Sequence, residues 1–245
     1  MKKICGFLYK YRHAWLLSYA FIYLPWFMFL ERTVTRDYHI MHASLDDLIP
    51  FNEYFIVPYF LWFVYVAGTL IFFLFRSKED YYKMCTFLFS GMTLSLIICT
   101  FFHNGTDFRP VIDPDKNIFS AAVAALYKTD TNTNVFPSIH VYNSVGTHIA
   151  ISRSQLLSKH KIIKLCSFLL TASICLATMF LKQHSIIDVC GAFLMAYAIH
   201  YLVYGYATDT EDNRKSAWLK HQTLFYYENA AILIKSIKLL CYLIP

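Results

Sequence analysis

The run YFIVPYFLWFVYVAGTLIFFLF, Tyr54 to Phe75, holds no Asp, Glu, Lys or Arg. A helix needs about 20 apolar residues to cross the hydrocarbon core of a bilayer, with about 17 as the lower limit. Backbone groups in lipid must bond within their own segment, so this run predicts a transmembrane helix. Ala14 to Leu30, Met84 to Phe102, Leu165 to Leu181 and Val189 to Thr208 also lack those four residue types. A weaker sixth candidate, Pro137 to Leu157, is interrupted by Asn143, Ser144, His148 and Arg153.

Composition agrees with this reading. Of 245 residues, 57% are hydrophobic and 16% charged, and the mean hydropathy is +0.42. A soluble domain is nearer one quarter charged. The expectation is an all-α integral membrane protein, a six-helix bundle forming a single domain over 1–245. No repeat or low-complexity linker divides it.

Basic residues set the expected orientation. With the N-terminus inside and six helices alternating, only Arg32, Arg36, Arg109, Lys116, Lys128 and Lys182 of the 22 Lys and Arg fall in outer segments. That bias puts both termini on the cytoplasmic side of a cell membrane. The net charge of +6 is then a topology signal and implies no nucleic-acid partner. The apolar run near the N-terminus is too long for a typical signal peptide and has no small-x-small site after it, so it reads as an uncleaved first helix. Seven cysteines without a C-x-x-C pair predict neither a disulfide framework nor a structural zinc. In the first outer segment, HASLDDLIPFNE predicts a short interfacial helix. The tail, about 222–245, carries Glu228, Lys235 and Lys238 and reads as a helix lying in the inner interface. A seventh span, which would put the C-terminus outside, is the alternative.

Three polar sites fall at the outer face on this topology. Arg109-Pro110 lies in the second outer loop. Ser138-Ile139-His140 opens the fourth helix. LKQHSIIDV joins the fifth helix to the sixth. Pro137 suits a first helical turn and Ser138 suits its cap. A helix start with free N–H groups favours an anion, phosphate above all, and His140 lies in that first turn. His184 and Asp188 are four residues apart. If the sixth helix begins near Lys182, both project from one face. Asp188 then holds one imidazole nitrogen and leaves the other as a nucleophile. Arg109 offers a planar fork for phosphate oxygens, and Lys182 offers a second positive charge.

Bland roles compete with these. His140 can be a satisfied helix-start histidine, and His184 with Asp188 can bridge two helices. Arg109 and Lys182 can be interfacial anchors. His103, His140 and His184 lack the His-x-x-x-His spacing of a helical zinc site. His148 and His200 read as packing or hydrogen-bonded residues, and Asn143 and Ser144 as bonds between helices.

The residues RP (Arg109, Pro110), PSIH (Pro137 to His140) and HSIID (His184 to Asp188) resemble the three motifs of the type 2 phosphatidic acid phosphatase superfamily. The resemblance implies that His184 attacks phosphorus to form a phosphohistidine. It implies that His140 protonates the leaving alkoxide and that Asp188 orients His184. Arg109, Ser138 and the backbone at Ile139 then hold phosphoryl oxygens, and no metal is needed. The chain departs from the family pattern at three places. Phe102 stands where the first motif has Lys. Ala177 and Thr178 stand where the third motif has Ser-Arg, and Ile139 replaces a Gly. Lys182 and His103 are candidate replacements for the missing cations. The pattern is similar to the divergent branch that includes inositol phosphorylceramide synthases.

The expected function is hydrolysis of a phosphorylated or diphosphate lipid, with that substrate and the membrane lipids as partners and no cofactor. Two alternatives stay open. One is a phosphotransferase passing the phosphoryl or headgroup to a lipid alcohol. The other is a non-catalytic phospholipid-binding or transport protein.

Overall fold

The structure is a computed structural model and describes residues 10–204. A 3-10 stretch, Arg12–Tyr19, runs directly into α1 (Ala20–Thr33). There follow β1 (His39–Ile40), α2 (Ser44–Leu48), α3 (Ile56–Arg76), α4 (Lys78–Phe101), β2 (Asn104–Gly105), α5 (Ile118–Thr129), α6 (Ile139–Arg153), α7 (Lys161–Phe180) and α8 (Ile186–Tyr204). The chain divides into two units, Met1–Val203 and Tyr204–Pro245. The interfacial helix expected at about 222–245 lies outside the described residues.

Among the described residues, five helical segments are long and apolar enough to cross a membrane: Arg12–Thr33, Glu53–Arg76, Lys78–Phe101, Lys161–Phe180 and Ile186–Tyr204. These are the five uncharged runs of the sequence. The weak sixth candidate is α6. It has 15 residues and is about 22 Å long at 1.5 Å per residue, short of the roughly 30 Å hydrocarbon core. Its polar content has a physical reason. α6 packs against α3, α4 and α7, so Asn143, Ser144 and Thr147 are buried in protein and do not meet lipid. The apolar runs show the opposite pattern, with Phe63, Val64, Leu194 and Tyr197 exposed.

Small residues let α4 and α6 come close. A Cβ at Gly91 would lie 2.0 Å from the Tyr142 ring, so only glycine fits there. Tyr142 stacks on Phe87 with centroids 4.9 Å apart and donates its hydroxyl to Phe87 O at 2.7 Å. Ser144 does not bond across helices through its side chain as expected. Its Oγ donates to His140 O one turn back, at 2.6 Å, and its carbonyl accepts from Thr171 Oγ1 of α7. His148 meets Ser167 of α7 at 2.9 Å, as its deep position implied.

The expected short helix in the first outer segment is α2. Beside it, β1 pairs in parallel with β2, His39 opposite Asn104 and Ile40 opposite Gly105, which ties the segment after α1 to the segment after α4. Asn104 is fully buried. Its carbonyl accepts from Asn134 N and its Oδ1 accepts from Phe136 N, both at 2.7 Å. Those bonds fix the strand of chain that enters α6. Phe136 also lies over Gly191 of α8, where a Cβ would come within 2.4 Å of its ring.

Candidate active site

The turn between α7 and α8 carries the first pair of site residues. Lys182 has a positive φ of 53°, which ends α7 in the left-handed region. Gln183 N and His184 N both donate to Thr178 O, at 2.9 and 3.1 Å. α8 begins only at Ile186, so His184 precedes the helix and does not share a helical face with Asp188. The two meet for a different reason. Ser185 acts as the cap: its Oγ accepts from Ile187 N at 3.2 Å, and Asp188 Oδ2 accepts from Ser185 N at 2.9 Å. This reciprocal cap folds the carboxylate back toward the imidazole. His184 Nδ1 lies 3.4 Å from Asp188 Oδ2. That is ion-pair range, and catalytic contacts are often long before substrate is bound. His184 Nε2 is left for other work. Both residues are buried, and Asp188 fully so.

The second element is the start of α6. Ser138 is its cap, with Oγ accepting from Val141 N at 3.4 Å. Ser138 N donates to Asp188 O at 3.2 Å, so one main-chain bond joins the two motif segments. Ile139 is the first helical residue, and His140 follows it. The His140 ring centroid is 5.9 Å from that of His184. Tyr59 and Trp62 of α3 flank His140, each with centroids 4.5 Å away. Tyr59 is held in turn by its hydroxyl, which donates to Asp130 Oδ2 at 2.9 Å.

Arg109 is the third element. Nη1 donates to Asp130 O and Nη2 to Thr131 O, both at 2.7 Å. Nη2 also donates to Gln183 Oε1. The guanidinium lies 4.8 Å from the Tyr127 ring. Burial pushes its pKa below the ordinary value, yet arginine is basic enough to remain a cation. Burial also pushes the Tyr127 phenol up to about 12, so its O–H persists and donates to Leu181 O at 2.7 Å. Arg109 is therefore brought to the His184 turn through Gln183.

Lys182 and His103 behave otherwise. Lys182 Nζ donates to Asp46 O at 2.6 Å and sits 5.6 Å from the Phe108 ring. Its ammonium group holds α2. His103 is exposed, and its carbonyl accepts from His39 N at 2.9 Å. Among the described residues no contact joins His103 to the histidine pair. The two positions lacking the expected cations also have local roles. Phe102 stacks on His39 at 4.8 Å, and the Thr178 carbonyl anchors the His184 turn.

Two residues at this site escaped sequence reasoning. Asp46, buried in α2, accepts from Ser185 Oγ at 2.6 Å and from Ile186 N at 2.9 Å. It also accepts from its own loop at Ala43 N. Thus a carboxylate from α2 caps the helix behind His184. Only the acidic pair in HASLDDL hinted at a cap. Gln183 carried no signal, since its partner is distant in sequence.

Among the described residues no group of three or more His, Cys, Asp or Glu is arranged to hold a metal ion. What the arrangement offers is a buried imidazole backed by a carboxylate, a second imidazole beside it, and a guanidinium one residue away. A model of the PAP2 superfamily matches residues 80–212, more than half of the chain and all of these motif residues. No curated protein and no solved structure gives a match. The multi-pass helical architecture, the order of the three polar motifs and the family match agree, and the chain belongs to the PAP2 superfamily, whose members are phosphatases or related phosphotransferases.

Proposed function

We propose that this protein is a membrane-embedded lipid phosphatase that works through a phosphohistidine and needs no metal. The observation that supports it is the paired imidazoles, 5.9 Å apart, with Asp188 3.4 Å behind His184. His184 Nε2 attacks phosphorus, an N–P bond forms and the P–O bond to the lipid breaks. His140 gives its proton to the departing oxygen. A water then attacks the phosphohistidine, His140 takes its proton back, and phosphate leaves. Asp188 holds the Nδ1 proton and steadies the positive imidazole. Arg109, Ser138 and the backbone at Ile139 stabilise the phosphoryl oxygens. The site opens at the outer face of the cell membrane, at headgroup depth, with both termini cytoplasmic.

A second reading, transfer of the phosphoryl or headgroup to a lipid alcohol, is favoured by Phe102 and Thr178 at the motif cation positions. Phosphate release from phosphatidic acid and a polyprenyl diphosphate, measured in detergent with EDTA, tests the proposal. Release is expected from at least one lipid and should vanish in His184→Ala. No release without an acceptor alcohol, but turnover with one, would move the reaction to the transferase. Phosphate binding with no turnover under either condition would make the protein a binder.

A further inference from the structure

Phe102 and Thr178 stand where the motif cations were expected, and among the described residues Lys182 Nζ is engaged by Asp46 O and no contact joins His103 to the histidine pair. A phosphoryl group still needs donors for its oxygens. The turn before His184 supplies a group that the motif does not include. Gln183 is 1% exposed and touches Arg109 through one end of its amide. Arginine only donates hydrogen bonds, so the end that faces it must be the oxygen. The orientation of this amide is therefore fixed by chemistry. Its Nε2, with two N–H groups, points the other way. Nε2 is buried without a partner among the described residues, and Arg109 Nε is in the same condition.

Buried donors of this kind are rare and call for an explanation. A glutamine that merely filled the turn would need no amide, since the turn is held by its main chain on Thr178 O. An amide whose oxygen accepts from a guanidinium is a stronger donor at its nitrogen. The adjoining residue is the buried imidazole that faces Asp188.

We propose that Gln183 is a phosphoryl-binding residue, its Nε2 donating to an oxygen of the phosphate group at His184 and taking over from a motif cation. Arg109 then acts on the phosphoryl group both through its own Nε and by polarising Gln183. The proposal deepens the phosphoryl-transfer reading and rests on it for the identity of the ligand, a phosphate monoester, its diphosphate counterpart or the five-coordinate transition state.

The test uses the full chain in detergent and orthovanadate, a mimic of that transition state. Vanadate affinity is measured by calorimetry, and kcat and KM by phosphate release. Gln183→Leu keeps the volume and removes the donors. It should weaken vanadate binding at least about tenfold and lower kcat about 100-fold, as loss of one oxyanion donor does, with KM little changed. Gln183→Glu keeps the oxygen that faces Arg109, and decides the matter if the leucine variant does not fold. Wild-type vanadate affinity in a folded variant would overturn the proposal, as would a wild-type protein that binds no vanadate. If the wild type turned over no lipid yet bound vanadate in a Gln183-dependent way, the phosphoryl-transfer reading would fail and the anion-binding role of Gln183 would stand.

Discussion

The helices that carry the two histidines begin in different ways. The side-chain cap of α6 is local: Ser138 Oγ accepts from Val141 N three residues on, and the distant bond at this residue runs through its main chain, Ser138 N to Asp188 O. α8 is capped from two directions. Asp188 reaches back to Ser185 N, and Asp46 reaches in from α2 to Ser185 Oγ and Ile186 N. A local cap fixes only a helix end. A cap borrowed from another segment also fixes where that end lies relative to that segment. The nucleophile of the proposed reaction sits on the second kind, which suits a group that must hold its angle to a phosphorus atom.

This contrast can be broken most sharply at Asp188. Asp188→Asn keeps an oxygen for Ser185 N but removes the charge behind His184. We expect kcat to fall about 10³- to 10⁴-fold with thermal stability in detergent almost unchanged. A parallel loss of stability would mean that the carboxylate acts mainly as a cap. Next comes Asp46→Ala, which leaves three donors without their acceptor in a buried place. A buried donor left unpaired costs about 1–3 kcal/mol; Ser185 Oγ bears that cost in full and the part-buried Ile186 N and Ala43 N bear less, so a destabilisation of about 2–4 kcal/mol is expected in reversible denaturant unfolding, with lower kcat. Asp46→Asn should recover part of both, and a neutral Asp46→Ala would show that the borrowed cap is dispensable. The smallest effect belongs to the local cap. Ser138→Ala should cost about 1 kcal/mol, and a larger loss would mean that α6 also depends on distant support.

Much of the fold was legible in the sequence because lipid imposes a simple rule on composition. The five uncharged runs became the five long spans. α6 was harder to read, since burial among α3, α4 and α7 frees a helix from the need to be apolar. The motif residues were legible as residue types, but their geometry was not. The His184–Asp188 contact was expected from a helical face and arises from a capping turn, because Lys182 adopts a positive φ and delays the helix to Ile186. Asp46 and Gln183 were invisible for a common reason. Each acts through a partner more than 70 positions away, and spacing along a chain carries no signal at that range.

The flanking rings of His140, Tyr59 and Trp62, and the carboxylate of Asp46 all precede the matched segment 80–212. A chimaera that took only that segment from this chain would carry every motif residue, but would leave behind the two rings that flank His140 and one of the two caps of α8. The candidate site therefore draws on more of the chain than its motifs. We expect crossovers to be tolerated where residues 46–62 travel together with residues 104–188, and to be costly between the two.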